Sequence, residues 1–254
     1  KNFTSYCTIC AYLHDIGKMF IPAKILNKPD KLTNEEFDIM KTHTLIGYKM
    51  CIDDIRLRPY ALGPKYHHET LDGTGYPEGL EGDLIPYEDQ IIKVADDYDA
   101  LVTKRQYKTH IHISDTLKDL IKDTVPNIKV AALDNAAQGV KLGKLNKKVV
   151  KALFKVVIDD TYYEISCVSG YVDYLKNQIK RIEQILEYEE KMEKAHTEKK
   201  KNYYKEGMEI LFEEGENFSN IHKIYHEYQT AYLTRKEIVE KLYEEIKIIK
   251  KLQV

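Results

Sequence analysis

The stretch from Lys65 to Gly82 constrains this chain more than any other. It carries two adjacent histidines, His67 and His68, then Glu69, then a turn containing Gly73, Gly75, Gly79, Gly82 and Pro77. Glycine supplies backbone angles that other residues avoid and proline fixes φ, so the stretch reads as an ordered loop that interrupts a helical chain. Taken alone it fits a polar surface loop. A folding core does not require that composition, however, and the histidine pair offers two imidazoles from one short segment.

The rest of the chain reads as helix. Residues 3–14 are apolar at helical spacing and run into His14-Asp15-Ile16-Gly17-Lys18, with Gly17 as a stop signal. Thr33 and Glu36 predict a capping box that opens a second helix, with Phe37, Met40, Thr44 and Tyr48 on its inward face and His43 beside that stripe. Residues 88–103 predict a helix whose apolar pattern is broken by Asp96, Asp97 and Asp99. Further helices are expected over 114–122, 128–138 and 146–158, with Val156-Val157-Ile158 as the one segment compatible with a strand. From about 171 the character changes. Leu175, Ile179, Ile182, Ile185, Leu186 and Met192 recur every three or four residues among charges, a coiled-coil-like pattern ended by Lys199-Lys200-Lys201. Thr234 and Glu237 predict a second capping box, and Tyr225, Tyr228 and Tyr232 read as packing residues. His222 and His226 have i, i+4 spacing but no third ligand nearby in sequence.

Composition excludes several classes. The 254 residues are long enough for a substantial core, and a net charge of −2 provides no global attraction to a nucleic acid polymer. No apolar run approaches the roughly 20 residues of a membrane span. Four cysteines are too scattered for a disulfide scaffold, which favours a reducing cytoplasm. Cys7 and Cys10 form a C-x-x-C without a second pair, and they lie among Tyr6, Ile9 and Leu13, so they read as buried helix cysteines. The opening at Lys1 lacks signal-peptide order and reads as a start inside a longer protein.

Polar residues that break otherwise apolar helices carry the chemistry: His14 and Asp15, His43, and Asp96, joined by His67 and His68 from the loop. Burying that set is costly unless something compensates. A cluster of divalent ions would do so, since imidazole nitrogens and carboxylate oxygens suit iron, manganese, zinc or nickel. Two such ions lower the pKa of a shared water and clamp a phosphoryl group, which suits phosphodiester hydrolysis. Lys18 stands one turn beyond the pair, placed to meet a phosphate. Arg105 and Lys108 follow the helix of Asp96 as further cations, though ordinary surface solvation explains all three equally well.

At this point the residues resemble a family. His14-Asp15 with Lys18 is similar to the signature of HD-domain phosphohydrolases. With His43, His67-His68-Glu69, Asp72-Gly73-Thr74-Gly75-Tyr76-Pro77, Asp96 to Leu101 and Arg105 to Lys108 in order, the chain resembles the HD-GYP subfamily over residues 1–167. The resemblance implies an all-α domain over 1–167 and leaves 168–254 as a helical, coiled-coil-like C-terminal extension. It implies a cytoplasmic hydrolase that opens cyclic di-GMP to pGpG or GMP through a metal-bridged hydroxide. By motif position His14, Asp15, His43, His67, His68 and Asp96 would bind two or three divalent ions, iron or manganese, with Asp15 bridging. Asp15 and Lys18 would be catalytic. Lys18, Gly75, Tyr76, Pro77, Arg105 and Lys108 would contact substrate.

One departure stands out. Family members carry a further glutamate and histidine on an upstream helix, and the thirteen residues before His14 include no histidine, glutamate or aspartate. Either that helix precedes Lys1 or the site is reduced. The readings that compete with a cyclic di-GMP hydrolase are a hydrolase of another cyclic dinucleotide and an impaired scaffold that binds dinucleotides or proteins. Expected partners are the dinucleotide, a second copy through the C-terminal helices, and an upstream sensor or receiver domain.

Overall fold

The computed structural model describes residues 2–106, 113–126 and 142–252, without the side chains of 104–106. Among the described residues the secondary structure is helical, and β-type pairing is limited to one isolated bridge between Asp72 and Glu81. The all-α expectation holds. The chain divides into two compact units, one running through Val156 and the other from Val157 to Lys251.

In the first unit, α1 (Phe3–Leu13) starts at Asn2, whose side chain accepts a hydrogen bond from the Thr4 amide, and ends just before His14. A 3-10 turn, Ile16–Phe20, and the short α2 (Ala23–Leu26) follow. The predicted capping box is present at α3 (Asn34–Lys41): Thr33 Oγ1 accepts from the Glu36 amide and Glu36 Oε2 accepts from the Thr33 amide. The helix does not continue through His43, as a single inward stripe would require. Thr42 separates α3 from α4 (His43–Asp53), and this places His43 in the first turn of a new helix. Phe37, expected in the core, is 45% exposed. After α5 (Leu62–Tyr66) comes the glycine loop, then α6 (Tyr87–Gln106) and α7 (Ile113–Asp123). The helix expected over 128–138 lies outside the described residues.

Packing converges these elements. α1 packs on α5 and α6, α4 packs on the Ile16–Phe20 turn and on α5, and α6 packs on α7. Cys10, Tyr60 and Ile92 form a buried cluster supported by Tyr6, Ile9 and Leu13, so Cys10 is a core residue and Cys7 is half-buried beside it. Each large apolar side chain buried in this way contributes about 1.5–3 kcal/mol. A Cβ built on Gly17 would stand 1.9 Å from the His43 carbonyl oxygen, so only glycine lets the turn after Asp15 press onto α4.

In the second unit the helices are long. α8 (Lys147–Glu193) is continuous through Val156-Val157-Ile158, which is helix and not strand, and through residue 171, where no break occurs. The chain turns at residues 194–197, and the lysine run lies inside α9 (Glu198–Leu211) and not at a break. Thr234 does not cap a helix. It lies within α10 (Ile221–Leu252) and donates its hydroxyl to the Thr230 carbonyl at 2.8 Å. Ile182 and Ile185 bury against Met208 and Ile221, with Tyr225 and Tyr228 packed on that cluster, so the coiled-coil-like stripe is covered within the chain. Arg181 ties the unit together with two 2.6 Å bonds to the Glu216 carboxylate and one of 2.7 Å to the Leu211 carbonyl.

Candidate metal centre

His14 and Asp15 leave the end of α1, His43 opens α4, His67 and His68 follow α5, and Asp96 lies mid-α6. Four of these, Asp15, His43, His67 and His68, each place a ligand atom within 4.8 Å of the others. Asp15 is the hub. Its Oδ1 lies 3.5 Å from His43 Nε2 and 3.7 Å from His67 Nε2, while its Oδ2 lies 3.1 Å from His14 Nε2 and 2.6 Å from Lys18 Nζ. Asp96 stands at the edge, with Oδ1 3.8 Å from His14 Nε2.

The donor set fits a divalent ion. Asp15 Oδ1 is buried and accepts no hydrogen bond among the described residues, and a carboxylate oxygen in that position is expensive unless a cation meets it. The rings facing it are oriented by their far nitrogens. His43 donates Nδ1–H to the Met40 carbonyl at 2.7 Å, and His67 donates to the carbonyls of Pro64 and Gly63 at 3.0 and 3.1 Å. That leaves both Nε2 lone pairs turned inward, the tautomer a metal ligand requires. Burial keeps the rings neutral. It pushes His67 down to about 3, helped by the neighbouring His14 and His43, and it lowers His43 against the pull of the Met40 carbonyl. His68 is likewise lowered by burial, then by His67 and Lys93.

His14 behaves differently. Burial opposes its charged form, but the hydrogen bonds to Asp15 and to the Ala11 carbonyl, with the Asp15 and Asp96 charges, outweigh burial and raise its pKa. Asp15 is held well below the usual carboxylate range, because bonds from His14 and Lys18 overcome the penalty of burial. Burial, with Asp15 nearby, raises Asp96 although the His14 charge pulls the other way.

The glycine loop is built against this cluster. Tyr76 stacks on His68 with ring centroids 4.7 Å apart, and Phe37 meets Tyr76 edge-on at 6.1 Å. A Cβ on Gly75 would fall 2.4 Å from the Thr70 amide nitrogen, so Gly75 lets the loop fold back onto its own start. The Tyr76–Pro77 bond is cis. Glu69, in sequence only one letter of the loop motif, holds the loop in shape. Its buried carboxylate accepts from the amides of Glu78, Gly79 and Leu80 at 2.7, 3.2 and 2.9 Å. A lone acid followed by a glycine turn is the signal that would have found it, since such turns aim several amides at one anion.

Of the remaining residues singled out in sequence, Lys18 is paired to Asp15. Arg105 lies in the last turn of α6, and Lys108 lies outside the described residues. His222 Nε2 donates to the Glu189 carboxylate at 2.8 Å on the surface, and among the described residues it joins no metal group. Sequence reasoning passed over Asp89, a fully buried acid two turns before Asp96 on α6.

The chain is similar to known proteins over part of its length. The HD domain family profile matches residues 2–125. Over 102 residues the chain is 46% identical to the cyclic di-GMP phosphodiesterase response regulator RpfG of Xanthomonas campestris pv. campestris (strain 8004), covering 39% of this chain and 27% of that protein. A cyclic di-GMP phosphodiesterase of Thermotoga maritima is 41% identical over 121 residues, covering 46% and 33%. The 3'3'-cGAMP-specific phosphodiesterase 2 of Vibrio cholerae serotype O1 is 42% identical over 99 residues, covering 38% and 19%. The chain therefore spans a third or less of the length of these curated relatives. Residues 2–125 of this chain are an HD domain, of the HD-GYP type that His67 to Pro77 signal.

Proposed function

We propose that this chain carries the catalytic part of a metal-dependent phosphodiesterase that hydrolyses cyclic di-GMP to pGpG or GMP in the cytoplasm. One observation carries the reading: a buried Asp15 oxygen without a hydrogen bond among the described residues faces imidazole nitrogens freed for metal, with Lys18 2.6 Å from the other oxygen. His14, Asp15, His43, His67, His68 and Asp96 would hold the ions, two or three of iron or manganese. Bound, they supply Lewis acidity and a water activated near neutral pH.

The chain's own residues supply position. Asp15 orients Lys18 toward the centre, and a phosphate entering there offers Lys18 a second anionic partner as charge grows on its oxygens. Gly75, Tyr76 and Pro77 form the lip, with Tyr76 fixed by its stack on His68. Arg105 and Lys108 would help hold the dinucleotide. The identity to cyclic di-GMP phosphodiesterases supports the substrate, and the cGAMP-specific relative favours one second reading, a hydrolase of a mixed cyclic dinucleotide.

Anaerobic metal analysis paired with turnover of cyclic di-GMP, 3'3'-cGAMP and cyclic di-AMP tests both. Product from cyclic di-GMP first supports the main reading, preference for cGAMP supports the second, and binding without product supports a scaffold. In the same reading residues 168–254 serve self-association, and a sensor or receiver domain acts from upstream. Sedimentation of the full chain against one ended at residue 167 tests that role.

A further inference from the structure

Backbone carbonyls turn three imidazoles of the centre: Ala11 meets His14 at 2.6 Å, Met40 meets His43 at 2.7 Å and Pro64 meets His67 at 3.0 Å. His68 has no such bond among the described residues. A ring that binds a metal ordinarily takes its orientation from a partner on its far nitrogen. For His68 that task falls to ring neighbours, His43, His67 and Tyr76. Of these Tyr76 alone lies nearly parallel to it, with centroids 4.7 Å apart and 24° between planes. His68 is therefore set by whatever sets Tyr76.

Tyr76 belongs to the limb of the glycine loop that leads to Glu78, and that limb is gripped twice. By its backbone, the Tyr76 amide donates to the His68 carbonyl at 3.3 Å and the Glu78 amide donates to Glu69 at 2.7 Å. By its side chain, Glu78 meets Lys65, with Nζ 2.5 Å from Oε1, and its Oε2 accepts the Tyr66 hydroxyl at 3.1 Å.

Lys65 has little freedom. Its side chain is 15% exposed, and its ammonium donates to the Tyr66 hydroxyl at 3.0 Å. The same ammonium lies over the rings of Tyr48 and Tyr66, 4.9 and 4.7 Å from their centroids. Aromatic faces attract a cation, most strongly where water is scarce. An exposed ion pair would contribute little, but this sheltered cation has a fixed place. Tyr48 lies on α4, which His43 opens, and Lys65 lies on α5, which leads into His67 and His68. One ammonium thus connects the three elements that deliver His43, the histidine pair and Tyr76.

We propose that Lys65 is a positioning residue of the metal centre: through Glu78 it holds Tyr76 against His68, and so aims the imidazole that Tyr76 stacks on. The proposal rests on the metal centre of the reading above and is independent of which phosphodiester is cut. A brace that only supports the fold would change stability alone. A brace that aims a ligand also changes metal affinity, and removing such outer partners costs about tenfold or more.

Manganese titration against a competing chelating fluorophore reads that affinity, and urea denaturation of the metal-free chain reads stability alone. Lys65→Met keeps the stem, removes the charge and is expected to weaken manganese binding about tenfold. Glu78→Ala breaks the same bridge from its more exposed end and is expected to match it. Where Lys65→Met does not fold, Glu78→Ala takes its place in every comparison. Tyr76→Leu removes the stack, and adding Lys65→Met to it is expected to weaken binding no further, since both act along one path. Unchanged manganese affinity in Lys65→Met and Glu78→Ala, whatever their stability, overturns the proposal and leaves the centre standing. An equal further loss from Lys65→Met on top of Tyr76→Leu also overturns it, because Lys65 would then act by another route. An unaltered chain that binds no manganese defeats the metal centre itself, and the proposal with it.

Discussion

His43 Nε2 lies 3.2 Å from His67 Nε2, and the opposite nitrogen of each ring is committed to backbone carbonyls. With both rings neutral, two lone pairs face each other at that distance, an arrangement a cation relieves. Metal binding is therefore coupled to stability. At an ion concentration about 100 times Kd the linkage is worth about 2.7 kcal/mol, or roughly 5–10 °C in Tm for a chain of this size. Scanning fluorimetry before and after chelation, then with manganese restored, reads the shift. A Tm indifferent to both treatments contradicts the site.

Asp15 joins the cluster through Oδ1 and holds Lys18 through Oδ2. Asp15→Asn keeps its shape and removes its charge. Elemental analysis is expected to find less than about a tenth of the normal metal, with turnover down at least about a hundredfold. Turnover that survives with full metal content would require a different hub.

Glu69 anchors the loop from below, so its effect should separate from that of the ligands. Glu69→Gln weakens three charge-assisted bonds and is expected to destabilise the chain by about 1.5–3 kcal/mol. Hydrogen exchange should quicken at the amides of residues 78–80 while bound metal persists. Loss of metal in step with loss of protection would make Glu69 part of the centre.

Asp89 has both carboxylate oxygens buried without a hydrogen bond among the described residues, and burial, with Glu88 beside it, pushes its pKa up to about 9. In the unfolded chain the same group titrates near 3.9. Between those values the folded form holds a proton that the unfolded form has released. Its contribution is thus full below pH 4 and is lost as pH rises toward 9, by up to about 1.4 kcal/mol per pH unit. Urea denaturation from pH 5 to 9 should show that slope. Asp89→Asn should flatten it and raise stability at pH 8; an unchanged slope would show that Asp89 is ionised in the fold.

The helices could be read from sequence because their signals are local. Thr33 and Glu36 announce a cap within four residues, and the structure has it. The same pattern at Thr234 and Glu237 misled, because a threonine hydroxyl can also bond back to the carbonyl four residues earlier, and inside a helix already running from Ile221 it does. The change of composition near 171 marked no break in the helix, since α8 requires only an unbroken backbone ladder and good helix formers.

For the site, sequence alone determined the donor types: acids and imidazoles where apolar helices should have had none, and a glycine turn attached to two of them. What it could not decide was which donors meet. His43 reaches Asp15 because Gly17 allows a turn to press on α4, and His68 is held by Tyr76 across eight residues of loop. Phe37 lies partly exposed against Tyr76 and not in the core, α3 and α4 are separate helices, and Lys144 arrives beside the loop through a bond to Leu71. Spacing along a chain reports one turn of helix at a time. Contacts between residues dozens of positions apart are set by how whole elements pack, and only the tertiary structure records that.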